Sequence, residues 1–166
     1  MVLLCLVAAL AGPGLSSVLR AQAPPEPVTW SVATYPAGGV VRPGGRLTLV
    51  VTATIDEGWH VYGTEELPGG PRPLRVTLSP GQPYAASGLQ APDAARDFDS
   101  AFGQVITFYD KSTSFRLPVT VPAKAAPGKR TIAIEVAYQA CDGRICLPSR
   151  TARLSAPIDI KPVRRK

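Results

Sequence analysis

The chain has 166 residues, of which 45% are apolar and 18% charged, with 18 prolines and 15 glycines. That is one domain, or one domain with tails, long enough to bury a core, and its composition excludes a disordered polar chain and argues against a helical one. The formal charge of +6 is weighted to the end, in Lys161, Arg164, Arg165 and Lys166, and the few aromatics do not interleave with Lys or Arg, which argues against a nucleic-acid surface.

Residues 1–23 have the pattern of a secretory signal. Val2 to Ala11 is an apolar run too short to span a membrane, and Ala21-Gln22-Ala23 fits a small-residue cleavage site, although no Lys or Arg precedes the run. Cys5 lies inside that run, too early for a lipoprotein cleavage site. Residues 24–27 form a Pro-rich linker. Val28 to Tyr35 alternates as a first strand with Trp30 in the core, and Gly38-Gly39 and Pro43-Gly44-Gly45 are turns. Arg46 to Ile55 places Leu47, Leu49, Val51, Ala53 and Ile55 on one face, as a half-buried strand does. Trp59 to Tyr62 is a short aromatic strand, Leu74 to Leu78 alternates again, and Ser79 to Asp97 reads as irregular. Phe98 to Lys111 is rich in aromatics. Thr113 to Val121, Thr131 to Tyr138 and Thr151 to Ile160 complete about eight strands with no amphipathic helix. Short strands punctuated by Gly and Pro predict an antiparallel β-sandwich over residues 28–160, followed by a basic tail at 161–166. No span crosses a membrane once residues 1–23 are removed.

Several chemistries are ruled out by what is missing. His60 is the one histidine, so a multi-His metal centre cannot form. No Gly-rich phosphate loop and no G-x-S-x-G elbow occurs. His60 with a serine is a weak signal for hydrolysis. Glu65-Glu66 and Asp97/Asp99 read as solvated loop charge.

The chemistry-bearing stretch is Tyr138 to Pro148, which holds Cys141 and Cys146 with four residues between them. Asp142-Gly143 is a turn-forming pair, and such a turn brings two sulfurs within bonding reach between two strands. In an exported chain an even count of cysteines favours a bond between them. From the residues alone two readings stand level. The pair is a structural staple across a short turn, which removes little unfolded-chain entropy, or it is an exchangeable disulfide beside polar groups. The spacing is wider than C-x-x-C and no helix follows, so it is not a thioredoxin-type motif.

The segment Tyr138-Gln139-Ala140-Cys141…Cys146-Leu147-Pro148 resembles the active-site segment of the N-terminal periplasmic domain of the DsbD thiol:disulfide interchange family. Gly58-Trp59-His60-Val61-Tyr62, Pro68-Gly69-Gly70-Pro71, Phe102-Gly103, Tyr109 and Phe115-Arg116-Leu117-Pro118-Val119 resemble its flanking segments, so the resemblance runs from about Val28 to Ile160. It implies an immunoglobulin-like antiparallel β-sandwich with a cysteine-bearing hairpin. It implies that Cys141 and Cys146 are the redox pair, that Cys146 attacks partners and that Cys141 resolves the mixed disulfide. A cap loop carries an aromatic that shields the disulfide, best matched by Phe102, and His60, Tyr62 and Tyr138 line the site. No cofactor is implied. The implied activity is that of a protein-disulfide reductase component in the periplasm or a secreted space. The implied partners are a separate membrane electron donor and thioredoxin-like periplasmic proteins, including those of cytochrome c maturation. The alternative is a non-catalytic secreted interaction module with a structural disulfide.

Overall fold

Residues that alternate in hydropathy must pair into sheets to satisfy their backbone groups while burying one face, and this chain alternates almost throughout. The computed structural model describes residues 26–162. The expected signal at residues 1–23, with Cys5, and the basic tail beyond Pro162 lie outside the described residues. The strands are β1 (Val28–Tyr35), β2 (Val40–Val41), β3 (Arg46–Ile55), β4 (His60–Tyr62), β5 (Arg75–Leu78) and β6 (Ala85–Ala86). They continue as β7 (Ala95–Asp99), β8 (Gln104–Tyr109), β9 (Thr113–Thr120), β10 (Gly128–Tyr138), β11 (Ala140–Cys141) and β12 (Arg150–Ile160). The one helical turn described is a 3-10 turn at Ala37–Gly39.

Three four-stranded sheets result, in the orders β1-β3-β9-β6, β2-β12-β10-β5 and β11-β4-β8-β7. Every pairing is antiparallel except that of β2 with β12. The first two sheets make an immunoglobulin-like sandwich. Leu49, Val51, Phe115, Leu117 and Val119 of the first sheet share one core with Ile132, Ile134, Val136, Ala156 and Ile158 of the second. Each of these side chains larger than alanine contributes about 1.5–3 kcal/mol when fully buried. Trp30 lies 6.2 Å from Phe115 and 5.3 Å from Tyr138 between ring centroids, closing one end of that core.

The third sheet sits on this frame and carries the cysteines. Tyr109 of β8 packs edge-on against Phe115 at 5.0 Å, and Val61, Leu74 and Ala140 join the same core. Gly63 closes β4 over β8: its N–H donates to Thr107 O at 2.7 Å, and a Cβ at this position would lie 2.2 Å from Thr107 Oγ1. A side chain there would push the two strands apart.

The seven strands named from the sequence all form, as β1, β3, β4, β5, β9, β10 and β12, and the aromatic-rich stretch Phe98 to Lys111 supplies the eighth, β8. The other four are β2, β6, β7 and β11. Three are two-residue pairings too short to show a period, and β7 is an exposed edge segment, Ala-Arg-Asp-Phe-Asp, with no apolar face. The stretch Ser79 to Asp97, expected to be irregular, therefore contains β6 and the start of β7.

Candidate functional site

The hairpin of β10 and β12 pairs down to Tyr138 and Arg150, and the chain between them leaves the second sheet. Ala140 and Cys141 are captured by the third sheet, opposite Val61 and His60 of β4. The cysteines therefore do not sit at the neck of the β10–β12 hairpin. They close a smaller loop of their own, in which Cys141 and Cys146 face each other as an isolated antiparallel bridge. Leu147 N donates to Ala140 O at 2.9 Å and Asp142 N to Ile145 O at 3.1 Å. Asp142 Oδ1 accepts from the N–H groups of Arg144 and Ile145, each at 2.8 Å, and Gly143 takes φ 82°, the left-handed value the turn needs. Those donated bonds, from Ile145 N–H first and then Arg144 N–H, hold the Asp142 carboxyl below its ordinary value. Gln139 secures the loop from outside, accepting from Arg72 N at 2.9 Å and donating to Leu147 O at 3.3 Å.

Within this frame the two sulfurs are bonded, with Cα atoms 4.2 Å apart, and their surroundings differ. Cys141 is 1% exposed and packs with Tyr62 and Ile106, whereas Cys146 is exposed. The Tyr62 hydroxyl lies 2.9 Å from Asp99 Oδ2, 3.0 Å from Cys141 Sγ and 3.5 Å from Cys146 Sγ. It has one proton, and a carboxylate accepts it more strongly than a disulfide sulfur. Burial first, then the Asp99 carboxylate, push the Tyr62 phenol far above its ordinary value, so it stays protonated. Asp99 itself is fixed by its turn: Oδ1 accepts from Ala101 N at 2.7 Å and Phe102 N at 3.3 Å, and Gly103 N donates to Asp99 O at 2.8 Å.

A cleft of about 310 Å³ opens beside the pair, with His60, Tyr62, Asp99, Ala101, Arg144 and Cys146 among its walls. His60 packs between Tyr62 at 5.1 Å and Phe108 at 5.2 Å. Burial lowers its imidazole pKa more than Asp99, Asp110 and Asp142 raise it, so the ring is neutral at pH 7. Among the described residues no side-chain hydrogen bond joins His60 to a serine, as a Ser–His pair would need.

The structure thus brings Cys141, Cys146, Tyr62 and His60 together. Phe102 stands one layer back: it packs edge-on against Tyr62 at 5.7 Å, and the residues of its loop that line the cleft are Ser100 and Ala101. Tyr138, expected in the site, lies elsewhere. It continues the inward row Ile132, Ile134, Val136 of β10, so its ring enters the sandwich core against Trp30. Asp99 was the residue missed by reading Asp97/Asp99 as solvated charge. The signal available was an Asp just before Ser-Ala-Phe-Gly, the pattern of a side chain capping its own turn.

Comparison with known proteins bears on this arrangement. The family described as "Thiol:disulfide interchange protein DsbD, N-terminal" matches residues 31–157, more than three quarters of the chain. No curated protein matches it. Among solved structures, the N-terminal periplasmic domain of ScsB from Proteus mirabilis is 16% identical, with a TM-score of 0.48. The match covers 80% of this chain and 45% of that one, so the chain spans less than half the length of this relative. The PapD-like domain 7 of human CEP192 is 11% identical with a TM-score of 0.43, covering 91% of this chain and 98% of that one. With the family matched across the sandwich and the cysteine loop alike, the chain belongs to the family of the N-terminal domain of the thiol:disulfide interchange protein DsbD.

Proposed function

We propose that this chain is a thiol–disulfide exchange module that passes electrons between a membrane-bound reductant and periplasmic redox proteins through Cys141 and Cys146. The observation that carries the reading is the asymmetry of the pair. Cys146 is an exposed residue beside the cleft, and Cys141 is buried with its sulfur against a protonated phenol. Exchange needs a thiolate to attack one sulfur in line while the other leaves. A donor thiolate attacks Cys146 Sγ, the Cys141–Cys146 bond breaks, and Cys141 leaves as a thiolate 3.0 Å from the Tyr62 hydroxyl, which can donate to it. A second donor thiol then releases the dithiol. Toward an acceptor the sequence runs in reverse. Cys146 attacks the acceptor disulfide and expels one acceptor thiolate, then Cys141 attacks Cys146 Sγ, reforms the internal bond and frees the second. Two electrons and two protons pass from the dithiol to the acceptor.

In this reading residues 28–160 form the exchange domain, residues 1–23 direct export to the periplasm or a secreted space, 24–27 are a linker and 161–166 a basic tail. The acceptors are thioredoxin-like proteins, including those of cytochrome c maturation. The loop at Ser100–Gly103 acts as the cap, with Phe102 anchoring it on Tyr62 rather than covering the sulfurs. Phe102→Ala is then expected to leave the fold intact and to speed oxidation of the reduced pair by a small disulfide about tenfold, because a looser loop uncovers Cys141. An unchanged rate removes the cap role.

The function itself is tested by mixing the reduced chain with an oxidised thioredoxin-like protein and following both disulfides by alkylation and mass. Stoichiometric transfer within minutes supports the reading. Retention of both thiols by the chain, with the acceptor still oxidised, favours the alternative of an interaction module with a structural disulfide.

A further inference from the structure

Charge is segregated along the sandwich, and the end far from the disulfide is almost wholly cationic. That end is identified by its pairings. Arg46 faces Thr120, Gly128 faces Ile160, Ile160 faces Val41, and Gly44 N donates to Pro122 O. The segments 41–46, 120–130 and 158–162 that build it carry Arg42, Arg46, Lys124, Lys129, Arg130 and Lys161, against one carboxylate, Asp159. Asp159 pairs with Lys161, and among the described residues the other five cations make no ion pair. Arg42, Arg46 and Lys161 line one shallow groove, and Lys124 and Arg130 line the next. The sequence adds Arg164, Arg165 and Lys166 within five residues of Lys161.

Two large apolar side chains lie exposed at this same end. Tyr35, opposite Thr48 near the start of β3, is 65% exposed, and Val40, in the groove of Arg42 and Arg46, is 47% exposed. An exposed tyrosine and valine at the same end as Arg and Lys whose stems can lie along apolar surface match the headgroup layer of a bilayer, which is apolar on one side and wet and anionic on the other. A nucleic acid would ask for several exposed aromatics interleaved with the cations, and this face offers the exposed Tyr35 and the half-buried Tyr84 beside Lys124 and Arg130.

We propose that this end docks on an anionic phospholipid surface. Docking this way holds Cys146 at the aqueous end of the molecule, open to soluble partners. A donor buried in the same membrane reaches Cys146 only when the domain tilts or lifts. The proposal stands whether or not the disulfide exchanges electrons.

The test is co-sedimentation of the full chain with vesicles of pure phosphatidylcholine and with vesicles containing phosphatidylglycerol. Binding is expected only to the latter, falling at least tenfold when salt shortens the Debye length. The variant R42E/R46E is expected to lose at least tenfold in binding with an unchanged melting temperature, and Tyr35→Ala to lose severalfold. Binding that ignores lipid charge, as the apolar stretch at residues 2–11 would give, overturns the proposal. So does no binding, binding that the folded R42E/R46E variant keeps, or binding to an acidic polymer such as heparin with none to the anionic vesicles.

Discussion

Cys146→Ser is expected to lower exchange with a partner disulfide by at least about a hundredfold, about 2.7 kcal/mol in barrier at 1.36 kcal/mol per tenfold, while Cys141→Ser is expected to trap the partner instead. A hydroxyl neither attacks a disulfide nor forms one, so losing the sulfur of the exposed residue leaves only Cys141, which is 1% exposed under Tyr62 and Ile106. An incoming disulfide cannot align with it unless the loop at Ser100–Gly103 and Tyr62 move. In Cys141→Ser the accessible thiol remains and the resolving one is gone, so the mixed disulfide accumulates as a band on a non-reducing gel. Trapping by Cys146→Ser in place of Cys141→Ser would reverse the roles of the two sulfurs. Equal trapping by both would mean that burial does not select between them.

The largest effect on stability is expected from Phe115→Ala, a loss of about 3–5 kcal/mol. Phe115 is 1% exposed on β9, between Trp30 at 6.2 Å and Tyr109 at 5.0 Å, so its ring joins the sandwich to the sheet that carries the cysteines. Truncation removes its own burial and leaves a hole between two aromatics that are held by different sheets and cannot both collapse into it. Against a typical stability of about 5–15 kcal/mol this loss is large, and urea unfolding followed by circular dichroism measures it. A loss below about 1 kcal/mol would mean that the third sheet does not depend on this contact.

The sandwich was legible in the sequence because its strands are long enough to show a period. Arg46 to Ile55 places Leu47, Leu49, Val51 and Ala53 inside, with Ile55 half-buried at the end of the same face and the alternate residues on the other, and β3 forms with those bounds. The fold of the site was less legible, because it is made of contacts distant in sequence. His60 and Cys141 face each other across 81 positions, and nothing near either residue announces the other. The two-residue strand β11 has no period, so the cysteine loop reads as the end of the long hairpin when it is an excursion into another sheet. Tyr138 could have been placed correctly, since it continues the inward row of β10. Its position beside Gln139-Ala140-Cys141 in the chain suggested a site residue, but adjacency in sequence does not override the alternation of a strand. The resemblance carried by the cysteine segment named the pair, and the difference between the two sulfurs came from their burial.

That difference has meaning only if the bond is exchangeable, so the reduction potential of the Cys141–Cys146 couple is the measurement that bears most directly on this account. Equilibration of the full chain with glutathione or dithiothreitol buffers, quenched by alkylation, gives it. The account predicts a value between those of thioredoxin, about −270 mV, and DsbA, about −120 mV. A value below about −300 mV, the range of structural disulfides, would contradict it and leave the loop a staple on a sandwich that serves another purpose.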